Sequence, residues 1–186
     1  MNAISAQDKQ AVSANPEQGQ YLTFMLGGEV FAIGILAIKE IIEYGQLTTV
    51  PMMPESIRGV INLRGAVVPV IDLSARFGRS PSQTTRRTCI VIIEVQGEDE
   101  RQVVGVIVDA VNAVLEIPAT DVEPAPSFGT GVRTDFIRGM GKIDDRFVII
   151  LNVDRVLSVV ELAVLGEEGP SQEGTAADAG DSQIAA

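Results

Sequence analysis

The chain has 186 residues, a formal net charge of −11 and no histidine. Without histidine there is no Ser-His-Asp triad, no imidazole acid–base work and none of the common zinc sites. An acidic chain without a basic stripe is also a poor match to nucleic acid. The single cysteine, Cys89, leaves no intramolecular disulfide, which suits a reducing compartment.

Residues 1–19 are polar and aperiodic and read as a disordered leader, with no basic-then-apolar signal pattern. Gln20 to Leu26 reads as a strand, turned by Gly27-Gly28 into Val30 to Ile33. A helical turn at Leu36 to Ile38 precedes an alternating strand, Lys39 to Glu43, and Pro51 and Pro54 mark an extended loop. Arg58 to Leu63, Arg64-Gly65 and Ala66 to Ile71 read as strand, tight turn and strand, with Gly65 supplying the positive φ. Leu73 to Gly78 is a helical turn closed by glycine, and the polar stretch Arg79 to Arg87 is a link. Three more strands follow at Thr88 to Val95, Val103 to Val108 and Ala110 to Ile117, then a Pro- and Gly-rich loop from Pro118 to Gly131. Ser158 to Glu161 has capping-box spacing, which predicts a short helix over about 158–165. Residues 166–186 read as a disordered acidic tail. The longest nearly apolar run, Val30 to Ile38, is about half a membrane span, so no direct membrane insertion is expected.

The chain carries the same pattern twice. Shifted from 57 to 137, Ile57-Arg58-Gly59 lands on Ile137-Arg138-Gly139, Val68 on Val148, Ile71 on Leu151 and Asp72 on Asn152. Shifted from 31 to 104, Phe31-Ala32-Ile33 lands on Val104-Gly105-Val106, and Ile41-Ile42-Glu43 on Val114-Leu115-Glu116. A repeat in the same order marks a duplicated unit. One copy alone would bury too little surface to be stable, so two should share a core. About ten short β-branched strands, five per copy, predict a mainly β chain of two small packed barrels, at about 20–85 and 86–157. Val67 to Ile71 and Phe147 to Leu151 are unbroken apolar runs, which predicts strands covered on both faces. Pro69 cannot donate a ladder hydrogen bond, so its strand should be at an edge or bulged there.

The run Gly59-Val60-Ile61-Asn62-Leu63-Arg64-Gly65, followed by Val68-Pro69-Val70-Ile71-Asp72-Leu73, resembles the CheW family of chemotaxis coupling proteins. Phe31-Ala32-Ile33, Ile38-Lys39-Glu40-Ile41, Val104 to Asp109 and Pro124-Ala125-Pro126 match as well, so the likeness spans about 20–165. It implies two five-stranded SH3-like barrels around a shared core. It also implies a non-enzymatic, cofactor-free cytoplasmic adaptor recruited to membrane-associated receptor arrays. Its partners would be the regulatory domain of the histidine kinase CheA and the cytoplasmic tips of methyl-accepting chemoreceptors. Two other readings stand beside this one: a related scaffold in a non-chemotaxis array, and a small-ligand binder or enzyme using a cleft between barrels.

Arg64 stands at a turn tip where the second copy has Asp144-Asp145. A turn charge is usually incidental, but two copies diverged to opposite sign at one spot favour function, and the resemblance gives the Arg of Asn-Leu-Arg-Gly a coupling role. Asn62 and Gly65 belong to the same motif. Glu40 falls where the family carries a coupling glutamate, against the plain reading of an exposed strand carboxylate. Gly59 and Gly139 mark equivalent patches for barrel-to-barrel contacts. Val30, Ile33, Ile38, Val106 and Val108 are candidates for a docking groove between barrels, although most apolar strand residues are core. Gly139-Met140-Gly141 is no dinucleotide fingerprint, because Asp144 takes the third glycine's place and a strand follows. Cys89 reads as a small hydrophobe, and Asp72, Asp109 and Asp154 as caps at strand or helix ends.

Overall fold

The computed structural model describes residues 19–97, 99–127, 129 and 131–158. The two copies of the repeat fold into matching series of elements, with one extra two-residue strand in the second. The first gives β1 (Gln20–Leu26), β2 (Glu29–Gly34), β3 (Ile38–Glu43), β4 (Ile57–Leu63), β5 (Ala66–Asp72) and a one-turn helix α1 (Leu73–Arg76). The second gives β6 (Cys89–Gln96), β7 (Arg101–Val108), β8 (Ala110–Glu116), the two-residue β9 (Val122–Glu123), β10 (Ile137–Ile143), β11 (Arg146–Leu151) and α2 (Val153–Val156). The expected leader, terminal helix and tail lie outside the described residues, apart from Gly19 and Ser158.

The strands form two sheets, in the orders β8-β1-β2-β11-β10-β9 and β3-β6-β7-β5-β4. The expected division into one barrel per chain half, at 85/86, does not describe these sheets. Hairpin β1–β2 sits between β8 and β11 of the second copy, and hairpin β6–β7 sits between β3 and β5 of the first. Each copy lends its first hairpin to the other, through equivalent parallel joins at Ala32↔Ile150 and Gly105↔Val70. The bulges are duplicated as well. Arg58 and Arg138 are skipped in the β4 and β10 ladders, and Lys39 and Asn112 in the edge strands β3 and β8. Bulges on edge strands discourage pairing with other chains.

The exchange produces three apolar cores. The largest lies between the sheets and draws on both copies, including Phe24, Phe31, Ile71, Val91, Val106, Phe136 and Leu151. Through it Phe24, Phe31, Phe77 and Phe136 follow one another at ring spacings of 6.1, 5.7 and 6.1 Å. Each sheet also curls around a smaller core, Tyr21, Ala32, Ile117, Val148 and Ile150 in one and Val70, Ile90, Ile92 and Ile107 in the other.

The two apolar runs are covered for most of their length, but the first residue of each is not. Val67 is 74% exposed and Phe147 51%. Both stand beside the hairpin tip, before the parallel neighbour begins at Val70 or Ile149, so nothing covers their outer side. Pro69 follows the same logic. Strand β5 is interior to its sheet, yet at Pro69 it pairs only with Val60 of β4.

Asp72 ties the first copy together from inside. Its buried carboxylate accepts from Arg58 Nη2 at 2.6 Å, Ser82 N at 2.8 Å, Ser82 Oγ at 2.9 Å and Ser74 N at 3.0 Å, and so caps α1 while anchoring the link. Burial opposes the charged form, but Arg58 and the Ser82 donors outweigh it and hold Asp72 below the ordinary carboxylate range. In the second copy Asn152 keeps only the capping role, accepting from Arg155 N at 3.4 Å, and Arg138 is exposed.

Truncating Ile71 or Leu151 to Ala should cost about 2–5 kcal/mol in urea denaturation, from lost transfer energy and a cavity. An unmoved midpoint would place that strand outside the core. Asp72→Asn should cost about 1.5–3 kcal/mol at neutral pH, since Arg58 loses its charged acceptor. Because the folded carboxyl is depressed, its stabilisation is present above the unfolded value and is lost as pH falls through the lowered one. Acid titrations of stability should therefore be flatter for Asp72→Asn than for the native chain.

Candidate functional site

The β4–β5 turn is built by its own residues. Arg64 and Gly65 both take positive φ, 52° and 87°, as a two-residue hairpin requires, and Asn62 Oδ1 accepts from Gly65 N at 2.8 Å. Asn62 is thus a turn-forming side chain. The geometry throws Arg64 out from the tip, where it is 78% exposed, and turns its guanidinium back across the barrel mouth. There Arg64 Nη2 donates to Glu40 Oε2 at 3.0 Å. The β3 alternation leaves Glu40 half-buried in the wall, its side chain 27% exposed.

Two further pairs extend this charged rim. Lys39 Nζ meets Glu94 Oε2 at 2.8 Å, and Arg101 Nη1 meets Glu94 Oε1 at 3.5 Å. The Lys39 ammonium, helped by Arg101, keeps the Glu94 carboxyl below its ordinary range. The rim surrounds a cleft of about 470 Å³ lined by Lys39, Glu40, Leu63, Arg64, Val68 and Val103 among others. So Glu40, Asn62, Arg64 and Gly65 come together on one hairpin mouth.

The other sequence candidates fall elsewhere. Ile33, Val106 and Val108 are 1%, 0% and 0% exposed and belong to the central core, because the exchanged hairpins turn those faces toward each other. Val30 and Ile38 are half-buried, packed on a barrel core and on the central core respectively. Gly59 and Gly139 are buried and offer no contact surface. A Cβ at Gly59 would stand 2.6 Å from the Thr48 carbonyl oxygen, and one at Gly139 would stand 2.6 Å from Val122 Cγ1. These glycines let a crossing segment pass against the strand.

The outward apolar residues are the feature that sequence reading missed. Ile41 and Val114 occupy equivalent positions in the two copies, as do Val67 and Phe147, and all four are exposed at 43%, 49%, 74% and 51%. Successive strand residues face opposite sides, so an adjacent apolar pair such as Ile41-Ile42 or Val67-Val68 must present one member outward unless both faces are covered. The doubled occurrence of such pairs was the available signal.

Cys89 is half-buried, and burial, then the Glu43 charge, pushes its thiol up, away from nucleophilic character. Asp109 accepts from Gly27 N at 2.8 Å, and Asp154 from Gln96 N at 3.0 Å. Among the described residues no cluster of three or more His, Cys, Asp or Glu is placed to hold a metal, and no helix is long and apolar enough to cross a membrane.

Gly59→Ala should destabilise the fold by about 1–3 kcal/mol or more, because the obstructing atom is backbone. A melting curve unchanged by that substitution would show that the Thr48 segment yields. Arg64→Glu should shift folding free energy by no more than about 1 kcal/mol, since the pair it breaks is largely solvated. Unfolding of that variant would make Arg64 a structural residue.

Comparison with known proteins covers the whole described fold. The family model of the CheW-like domain matches residues 20–161. The chemotaxis protein CheW of Klebsiella aerogenes is 34% identical over 146 residues, which span 78% of this chain and 86% of the relative. The chemotaxis protein CheW of Bacillus subtilis is 36% identical over 137 residues, 73% of this chain and 85% of that one. The crystal structure of the scaffolding protein TtCheW from Thermoanaerobacter tengcongensis superposes with a TM-score of 0.69 at 35% identity, covering 77% of this chain and 90% of that one.

Proposed function

Because the chain belongs to the CheW family, we propose that it is a non-enzymatic scaffold of bacterial chemotaxis that couples chemoreceptors to the histidine kinase CheA. The observation that carries this reading is similarity to chemotaxis scaffolds over nearly the whole double-barrel fold, rather than over one motif. Coupling needs two partners held at once in a fixed relation. A duplicated fold suits that task, since it offers two equivalent surfaces whose chemistry has diverged.

The finer assignment is that the kinase engages through its regulatory domain and the receptor through its cytoplasmic tip. The protein then works in the cytoplasm at membrane-associated arrays. Ile41 and Val67 on the first barrel, and Val114 and Phe147 on the second, leave apolar side chains exposed for contact. Arg64 and Glu40 orient one of these contacts. An exposed guanidinium already fixed by a carboxylate presents its remaining donors in a set direction, which a lysine does not reproduce.

Receptor-dependent kinase activation, measured with purified receptor fragment, kinase and full-length protein, tests the assignment. Arg64→Glu should abolish activation while its melting curve stays near native, and Arg64→Lys should retain part of it. Native activation by a well-folded Arg64→Glu would remove Arg64 from the coupling contact.

A further inference from the structure

Neither copy of the repeat can pair all its strands within itself. Strand β3 has its ladder with β6 alone, and β8 has its ladder with β1 alone. The joins β2–β11 and β5–β7 also run between copies. Taken by itself, the first copy keeps the hairpins β1–β2 and β4–β5 and leaves β3 without a neighbour. The second keeps β6–β7 and β10–β11, with the short β9, and leaves β8 without one. Separate two-stranded hairpins are marginal in water at best. The central core divides the same way, Phe31, Ile71 and Phe77 of one copy closing on Val91, Phe136 and Leu151 of the other. What holds the fold together is therefore an interface between copies.

The covalent link is divided too. Its first part is fastened to the first copy. Arg79 N donates to Ser74 O at 2.9 Å, and the Arg79 guanidinium meets Glu29 at 2.7 Å. Ser82 donates to Asp72 through N and Oγ, and its carbonyl accepts from Arg58 Nη2 at 2.8 Å. The last part is set at the start of the second copy. Thr85 N donates to Thr88 Oγ1 at 2.8 Å, Thr88 N to Thr85 O at 3.2 Å and Arg87 N to Thr85 Oγ1 at 3.2 Å, which fixes a turn directly before β6. Between these anchors stand Gln83 and Thr84. Both are exposed, and neither makes a hydrogen bond or ion pair with a described residue.

We infer that each copy is a complete binding partner for the other, and that the Gln83–Thr84 peptide bond supplies proximity but no part of the fold. Register specifies the partner. Strand β3 needs an antiparallel neighbour and β5 a parallel one, and the hairpin β6–β7 meets both needs at once. Hydrolysis at the joint adds one water across one amide and leaves a carboxylate and an ammonium in solvent, with both anchors untouched. Neither new charge is buried, so no desolvation opposes the cut state. An intact short link holds each copy near the other at an effective concentration on the order of millimolar. A cut chain loses that advantage and keeps all four cross-copy ladders. The inference does not rest on the scaffold reading.

A protease recognition sequence inserted between Gln83 and Thr84 of the full-length chain tests it, with cleavage carried out on the folded protein. The two fragments should elute together in native gel filtration at the size of one chain, with an unchanged circular dichroism spectrum, and part only in urea. On dilution out of urea, the cut protein should refold with a half-time that lengthens as its concentration falls, while the half-time of the uncut protein stays constant. Fragments that part as soon as the link is cut overturn the inference. A fragment that keeps a folded spectrum by itself overturns it as well, because that copy would be autonomous. So does an insertion that prevents folding before any cut, since the joint would then be structural. Gln83→Gly combined with Thr84→Gly, which leaves the link's length unchanged, should melt as the native chain does, and a large drop would also make the joint part of the fold.

Discussion

The architecture depends on two short parallel joins, Ala32 against Ile150 and Gly105 against Val70. At each, a hairpin of one copy is received by the last strand of the other. The joins are tight. A Cβ at Gly105 would come within 2.8 Å of Ile90 Cγ2, so a side chain there would force Ile90 to shift. Around these joins the three cores follow, since the exchanged hairpins turn one face into a barrel and the opposite face onto their counterpart.

Much of the element order was legible, because strand alternation and turn chemistry are local. The exchange was not. A barrel that keeps its own hairpin and one that borrows its neighbour's bury the same faces of the same strands, so periodicity cannot choose between them. The choice is made by packing between segments far apart in sequence. The same limit explains Gly59 and Gly139. Their motif marked the patches that flank them, while the close approach of Thr48 and Val122 is something no local pattern links to them.

The hairpin mouth was more accessible to sequence reasoning. Opposite charge at one duplicated turn marked Arg64, and the structure supplies its partner, Glu40, 24 positions earlier in the chain. Asn62, singled out as part of the same motif, also makes the turn, its Oδ1 accepting from Gly65 N.

The reciprocal exchange also has a consequence for synthesis on the ribosome. Phe31 emerges early, but its parallel neighbour Ile149 is among the last structured residues to appear. β8 can pair with β1 once Glu116 has emerged, but until β11 arrives the outer ladder of β2 is open to other chains. The sheet of β3 to β7 has all its strands once Val108 has emerged, whereas the sheet that holds the first hairpin waits for β11 at the far end of the chain. Such long-range pairing makes closure of that second sheet a late event, of the kind that folds slowly and rewards protection of nascent strands.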